Sequence, residues 1–167
     1  NFVSLPVAQD HKRIFDGDEG PNTGGMGTFS PVPRVTPAMV RQTERRIVAP
    51  VIAKLRERGI AYRGTLFSGL MVEGHDIYCL EYNVRFADPE TESVMLRLAS
   101  GLARALYQAA AGEHIDAPEV LDNAACTIFL ASGGYPGEIR KGLPIAIGEL
   151  PEGVKLFHAG TAMKEGR

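Results

Sequence analysis

Apolar and polar residues alternate through the middle of the chain, and from Leu80 the run reads Leu80, Glu81, Tyr82, Asn83, Val84, Arg85. Strand side chains point to opposite faces in turn. Glu81, Asn83 and Arg85 are therefore predicted to project together, each roughly 6.5 Å along the strand from the next, with Leu80, Tyr82 and Val84 facing the core. This strand, residues 76–84, follows another over residues 62–72, and Gly74 and His75 sit where a hairpin turn belongs. A period of 3.6 appears earlier, in Met39, Val40, Ile47, Val48, Val51, Ile52 and Leu55. It predicts a helix opened by Thr36 as N-cap with Pro37 behind it and stopped by Gly59. Arg41, Arg45, Arg46, Lys54, Arg56 and Arg58 fall on its solvated face. Two further helices are expected over residues 91–99 and 102–111, the second ending at Gly112.

Outside these elements the pattern is punctuated by glycine and proline. A short strand over residues 2–5 is followed by a polar segment reaching Pro37, long enough for a functional loop, with a turn at Asp16, Gly17 and Asp18. Ala117, Pro118 and Glu119 mark a boundary, after which a fresh strand pattern over residues 124–131 leads to the turn-rich Ser132 to Gly137 stretch and a last strand over residues 154–158. The expected division is residues 1–116 and 117–167.

Composition narrows the class without naming a chemistry. The 167 residues suit one substantial domain, or one domain and part of another, and 44% hydrophobic with 23% charged content is that of an ordinary soluble protein. A net charge of −2 gives no electrostatic case for nucleic acid or an anionic membrane. No apolar run approaches the roughly 20 residues that span a bilayer, and the opening residues lack the regions of a signal peptide. Cys79 and Cys126 lie in apolar strand-like runs without metal-ligand spacing, which predicts buried free thiols and a reducing, cytoplasmic compartment. His75 and His114 fall at turns and are expected in solvent.

Two stretches carry candidate chemistry. A carboxylate and an amide on one strand face, beside a guanidinium, suit Mg²⁺ that itself carries nucleotide phosphates, because Mg²⁺ takes a few hard protein oxygens plus substrate. The wet face of an antiparallel sheet is an equally ordinary home for Glu, Asn and Arg. The acid-rich turn from Phe86 to Glu92 adds weight to the first reading, since functional loops gather at strand ends. The second stretch, Gly20 to Gly27, contains glycines that let backbone N–H groups approach an anion, although it also fits a mobile linker. It is not a Walker A loop, for no Gly-Lys-Ser/Thr follows. Lys12 and Arg13 read either as phosphate contacts or as a solvated charge cluster, and no Ser or Cys has a convincing base partner.

Residues 5–13 (LPVAQDHKR), 20–27 (GPNTGGMG), 80–92 (LEYNVRFADPETE), 131–137 (ASGGYPG) and 157–161 (FHAGT) resemble, in order, motifs of the phosphoribosylamine-glycine ligase family, the glycinamide ribonucleotide synthetases. The resemblance runs over essentially the whole chain. It implies an α+β fold, the C-terminal lobe of an ATP-grasp module with an antiparallel sheet and helices over residues 1–116, followed by part of a small β-rich domain. It implies ATP-dependent joining of glycine to 5-phosphoribosylamine through glycyl phosphate, with Mg²⁺ or Mn²⁺. By the family's pattern Glu81 and Asn83 match the metal ligands, and Arg85 matches the catalytic cation beside the transferred phosphate, so all three border ATP. Asp10, His11, Lys12, Asn22, Thr23, Gly24, Gly25 and Met26 match a wall that receives the substrates, with Asp88, Pro89 and Glu90 as the bordering turn. The partners implied are small molecules only, and the parent a monomer. Tyr82 stands where the family has Phe, and Ala87 where it has Gly. The family's amino-terminal portion and its ATP-clamping lysine and flap have no counterpart, so the chain reads as an interior fragment with negligible activity by itself. Another ATP-grasp carboxylate-amine ligase, or a non-catalytic fragment of that fold, are the alternatives.

Overall fold

The computed structural model describes residues 1–164. Short strands open the chain: β1 (Gln9–Asp10), β2 (Arg13–Phe15), β3 (Glu19–Asn22) and β4 (Gly27–Ser30). The polar, glycine-rich segment thus contains four short strands linked by turns, where its composition predicts a loop. β2 and β3 form a hairpin around the expected turn at residues 16–18, while β4 lies between β1 and β9 (Ala125–Ile128) in an antiparallel three-stranded sheet. Pairing with a strand about a hundred residues away is what makes β4 a strand, and no local periodicity announces it. Residues 2–5 are not a strand; among the described residues nothing pairs with them.

Thr36 caps the next helix as expected, its Oγ1 accepting from Met39 N at 3.3 Å. The helix is not continuous. α1 (Pro37–Thr43) passes through a π-helical turn, Glu44–Val48, into α2 (Ala49–Glu57). Pro50 explains the break, because it brings no N–H and its ring crowds the preceding turn. The apolar residues of this segment are half-buried and its basic residues exposed.

β5 (Phe67–Glu73) and β6 (Asp76–Asn83) form the predicted hairpin, with β5 starting five residues later than its pattern suggested. Gly69 pairs with Glu81 but Leu70 with Cys79, so Leu80 is an extra residue on β6. Such a bulge interrupts strict alternation. Leu80 is 63% exposed and Val84 75%, and Tyr82 is also exposed, which corrects the core assignment. Tyr82 does reach the helical segment, donating its hydroxyl hydrogen to Ile47 O at 3.1 Å.

α3 (Glu90–Met95) is shorter than expected, because Leu98 and Ser100 leave the helix to form β7 (Leu98–Ser100) against β8 (Glu119–Val120). α4 (Leu102–Ala111) ends at Gly112 as its spacing indicated. Beyond Ile128 the described residues form turns and no regular strand, so the strand expected over residues 154–158 is absent. Its apolar side chains, Phe157 among them, are exposed, with no partner strand to order them. Cys79 and Cys126 are free but exposed, not buried. The faces of β6 and β9 that present them are uncovered among the described residues.

The interior is small and partly polar. Val32, Ala87, Val94 and Ala105 are the buried apolar residues, and beside them lie the buried hydroxyls of Thr28, Ser30 and Ser93. Thr28 Oγ1 donates to Pro89 O at 3.0 Å and lies 2.7 Å from Ser93 Oγ, which lies 2.8 Å from Thr127 Oγ1. One assignment of hydrogens satisfies all three hydroxyls: Thr127 donates to Ser93, Ser93 to Thr28, and Thr28 to the Pro89 carbonyl. This relay ties β9, α3 and β4 to the turn before α3. Arg97 adds a second tie, donating to Asn123 O at 2.8 Å and Ser30 Oγ at 2.9 Å.

Candidate active site

β6 brings Glu81 and Asn83 side by side, with Asn83 Nδ2 donating to Glu81 Oε1 at 3.2 Å. Across the hairpin Gly69 leaves room for the glutamate, since a Cβ there would stand 3.0 Å from Glu81 Cγ. Arg85 lies two residues beyond the strand, and its guanidinium donates to Phe86 O at 3.1 Å. Alternation therefore joins the first two groups, while a bend at Val84 and Arg85 decides where the third goes.

Asp10 closes β1 with its side chain 9% exposed and its Oδ2 2.6 Å from Lys12 Nζ. The ion pair satisfies that oxygen by charge, whereas the buried Oδ1 has no hydrogen-bond partner. The bond from Asp10, opposed by partial burial, holds the Lys12 ammonium above its ordinary pKa, and the charges of Asp10, Glu90 and Glu81 add to it. Glu90, the first residue of α3, has its carboxyl pKa raised chiefly by burial. Asp10 and Asp88 push the same way, against its own backbone hydrogen bond and Lys12. Asp10, Lys12, Glu81 and Glu90 thus share one electrostatic neighbourhood. Three carboxylates around one ammonium favour a cation over a bare phosphate.

The glycine loop is braced from within. Thr23 N donates to Lys12 O at 2.7 Å, Gly24 N to the Tyr135 hydroxyl at 3.1 Å, Gly25 N to Thr23 Oγ1 at 3.0 Å and Met26 N to His11 O at 2.8 Å. All four amides are spent on protein acceptors, which corrects the expectation that they greet an anion. Asn22 pairs with Arg13 across the β2–β3 hairpin, and Arg13 donates to Gly20 O at 2.5 Å. The His11 ring lies tilted on Phe29, centroids 5.6 Å apart. Gly25 is wedged between Asp10 and the buried Pro89: a Cβ there would fall 2.9 Å from Asp10 Oδ1 and 2.3 Å from Pro89 Cδ. Asp88 stays exposed at the turn.

The donor set at Glu81 and Asn83, one carboxylate and one amide oxygen, suits Mg²⁺ or Mn²⁺ with its remaining positions filled by water and phosphate. Among the described residues no three His, Cys, Asp or Glu side chains group to hold a metal by themselves. A cavity of about 360 Å³ beside Val7, Val32, Val35 and Val40 contains none of these site residues.

A family model described as "Phosphoribosylglycinamide synthetase, ATP-grasp (A) domain" matches residues 1–91, more than half of the chain. The chain belongs to the phosphoribosylglycinamide synthetase ATP-grasp family. It is 49% identical over 168 residues to the phosphoribosylamine-glycine ligase of Agrobacterium fabrum, covering 99% of this chain and 40% of that protein. The ligase of Rhizobium meliloti is 48% identical, with the same coverage. The crystal structure of the Thermotoga maritima phosphoribosylamine-glycine ligase superposes with a TM-score of 0.87 at 40% identity, over 99% of this chain and 41% of that one. The chain thus spans about two-fifths of the length of these relatives. The α+β architecture, with antiparallel sheets and flanking helices, is that of an ATP-grasp lobe.

Within this synthetase family setting, the sequence pattern missed the hydroxyl relay behind Pro89 and the phenol on Gly24. Thr28 and Thr127 did carry a signal, as hydroxyls in segments that turn out to be paired strands. Their meeting with Ser93 depends on packing between elements far apart in sequence.

Proposed function

We propose that the whole protein is a ligase that uses ATP to join glycine to 5-phosphoribosylamine, giving glycinamide ribonucleotide, ADP and phosphate in purine biosynthesis. The observation that supports it most is the convergence of the Glu81–Asn83 pair with the Asp10, Lys12 and Glu90 cluster, in a family whose relatives bear that ligase's name. A carboxylate resists attack by an amine, because its charge repels the nucleophile and oxide is a poor leaving group. Phosphorylation removes both obstacles: a glycine carboxylate oxygen attacks the γ-phosphorus and ADP leaves. The amine nitrogen then attacks the acyl carbon, phosphate departs and the nitrogen sheds a proton.

In this reading Glu81 and Asn83 would hold Mg²⁺ or Mn²⁺, which supplies charge neutralisation on the ATP phosphates when bound. Arg85 stabilises the equatorial oxygens of the transferred phosphoryl group after exchanging its Phe86 contact for substrate. Asp10, its Oδ1 covered beneath Gly25, holds the Lys12 ammonium from below and fixes it at the edge of the site beside Glu81 and Glu90. His11, Asn22, Thr23, Gly24, Gly25 and Met26 form the wall behind it, and Asp88, Pro89 and Glu90 the opposite rim. Residues 1–116 and 117–167 are the proposed domain portions, joined through the β4–β9 pairing. We further propose a monomeric, cytoplasmic protein acting on small molecules rather than nucleic acid or membranes; no helix among the described residues is long and apolar enough to cross one.

The test is ADP release by the whole protein with both substrates and Mg²⁺, compared with Glu81→Ala. Loss of one oxygen ligand is expected to cut turnover at least a hundredfold with little change in unfolding midpoint. Normal turnover with normal Mg²⁺ dependence in the variant would end this assignment.

A further inference from the structure

The motif at residues 131–137 plays no part in the chemistry above, yet it meets the candidate site at one atom. Tyr135 is half-buried in a segment whose neighbours are exposed, and its hydroxyl oxygen accepts the Gly24 N–H at 3.1 Å across 111 positions of sequence. The phenol is presented by a tight turn: Tyr135 N donates to Ser132 O at 3.2 Å and Gly137 N to Gly134 O at 2.8 Å. Gly134 has φ +95°, and a Cβ there would collide with Glu138 O at 2.1 Å. On the receiving side a Cβ on Gly24 would stand 3.3 Å from the phenolic oxygen, so the approach is close. The same segment grips the loop a second time, with Phe129 N donating to Met26 O at 2.9 Å. Between these two grips lies Gly25, pressed on Asp10 Oδ1 and Pro89.

We propose that Tyr135 is a positioning residue: its hydroxyl latches Gly24 and thereby sets the distance between the glycine loop and the Asp10 carboxylate that anchors Lys12 at the substrate site. The role in catalysis rests on the reading of the site given above; the latch itself does not. The residues after position 117 would then complete the substrate wall. Tyr135→Phe removes the acceptor and little else, and a net contribution of about 1 kcal/mol for such a bond corresponds to roughly a five- to tenfold change in opening.

Amide hydrogen exchange by NMR on the whole protein is the first measurement. In Tyr135→Phe the Gly24 amide is expected to exchange five- to tenfold faster, with Thr23 and Met26, which donate to Lys12 O and His11 O, unchanged and the melting temperature held. The second measurement is steady-state kinetics of the whole protein: the KM for glycine or phosphoribosylamine rises several-fold, and that for ATP stays. A merely structural tyrosine would not produce this selective shift. Unchanged Gly24 exchange in the variant overturns the latch, and faster exchange with unchanged KM values overturns the positioning role. If Tyr135→Phe does not fold, the wild type decides: a Gly24 amide exchanging at the free-peptide rate overturns the proposal, and a protected one upholds the latch. A wild type without ligase activity would sink the proposed function while leaving the exchange result to judge the latch.

Discussion

Gly25→Ala is the substitution that most directly probes how the loop and the acidic cluster fit together. Gly25 has φ +138°, a region essentially closed to residues with a Cβ, so alanine there costs about 1–3 kcal/mol in backbone strain alone. The new methyl group would also meet Pro89 Cδ at 2.3 Å and Asp10 Oδ1 at 2.9 Å. A buried proline ring cannot swing aside as a lysine tip can, so relieving the overlap adds about 1–3 kcal/mol. Loss of glycine's freedom in the unfolded chain returns about 0.4–1 kcal/mol. The net destabilisation is about 1–6 kcal/mol, a large part of the roughly 5–15 kcal/mol typical of a folded domain. Gly17→Ala separates the two causes, because Gly17 has φ +73° with nothing within 4 Å of its would-be Cβ and should show strain alone. Urea unfolding followed by far-UV circular dichroism measures both. A Gly25→Ala protein no less stable than Gly17→Ala would refute the claim that loop, Asp10 and Pro89 are in close contact.

Two further perturbations test the interior and the titrating rim. Thr28→Val keeps the shape of a fully buried side chain but removes the hydroxyl that bonds Pro89 O and Ser93 Oγ, while Ser93 keeps the backbone Thr28 O as acceptor, so the unfolding free energy should fall by about 1–2 kcal/mol. Thr28→Ser, which retains the hydroxyl, should lose much less. Glu90 has a folded pKa above its ordinary 4.5, chiefly through burial, so its contribution to stability is complete below pH 4.5 and is lost as pH rises through the folded value. Glu90→Gln removes that titration. The stability of the variant relative to wild type should therefore grow between about pH 4 and pH 7, and a flat or shrinking difference in denaturant titrations would contradict the assigned burial.

By itself the sequence determined what short-range chemistry can settle. Thr36 and Pro37 start a helix and Gly112 ends one; the hairpin turn at Gly74 and His75 pairs the flanking strands; Glu81 and Asn83, two apart, share a side; and motifs in register mark the family. Tertiary structure decided what depends on partners distant along the chain. β4 is a strand because β9 lies beside it, Leu80 is exposed because nothing among the described residues covers that part of β6, and Arg85 turns to Phe86 O because the strand stops before it. The glycine loop looked free to bind an anion until Lys12, His11, Thr23 and Tyr135 supplied acceptors for its amides. Asp10 and Glu90 meet only on folding. A backbone hydrogen bond or a charge pair needs two groups at one place, and a linear pattern specifies each group without saying which other one will arrive.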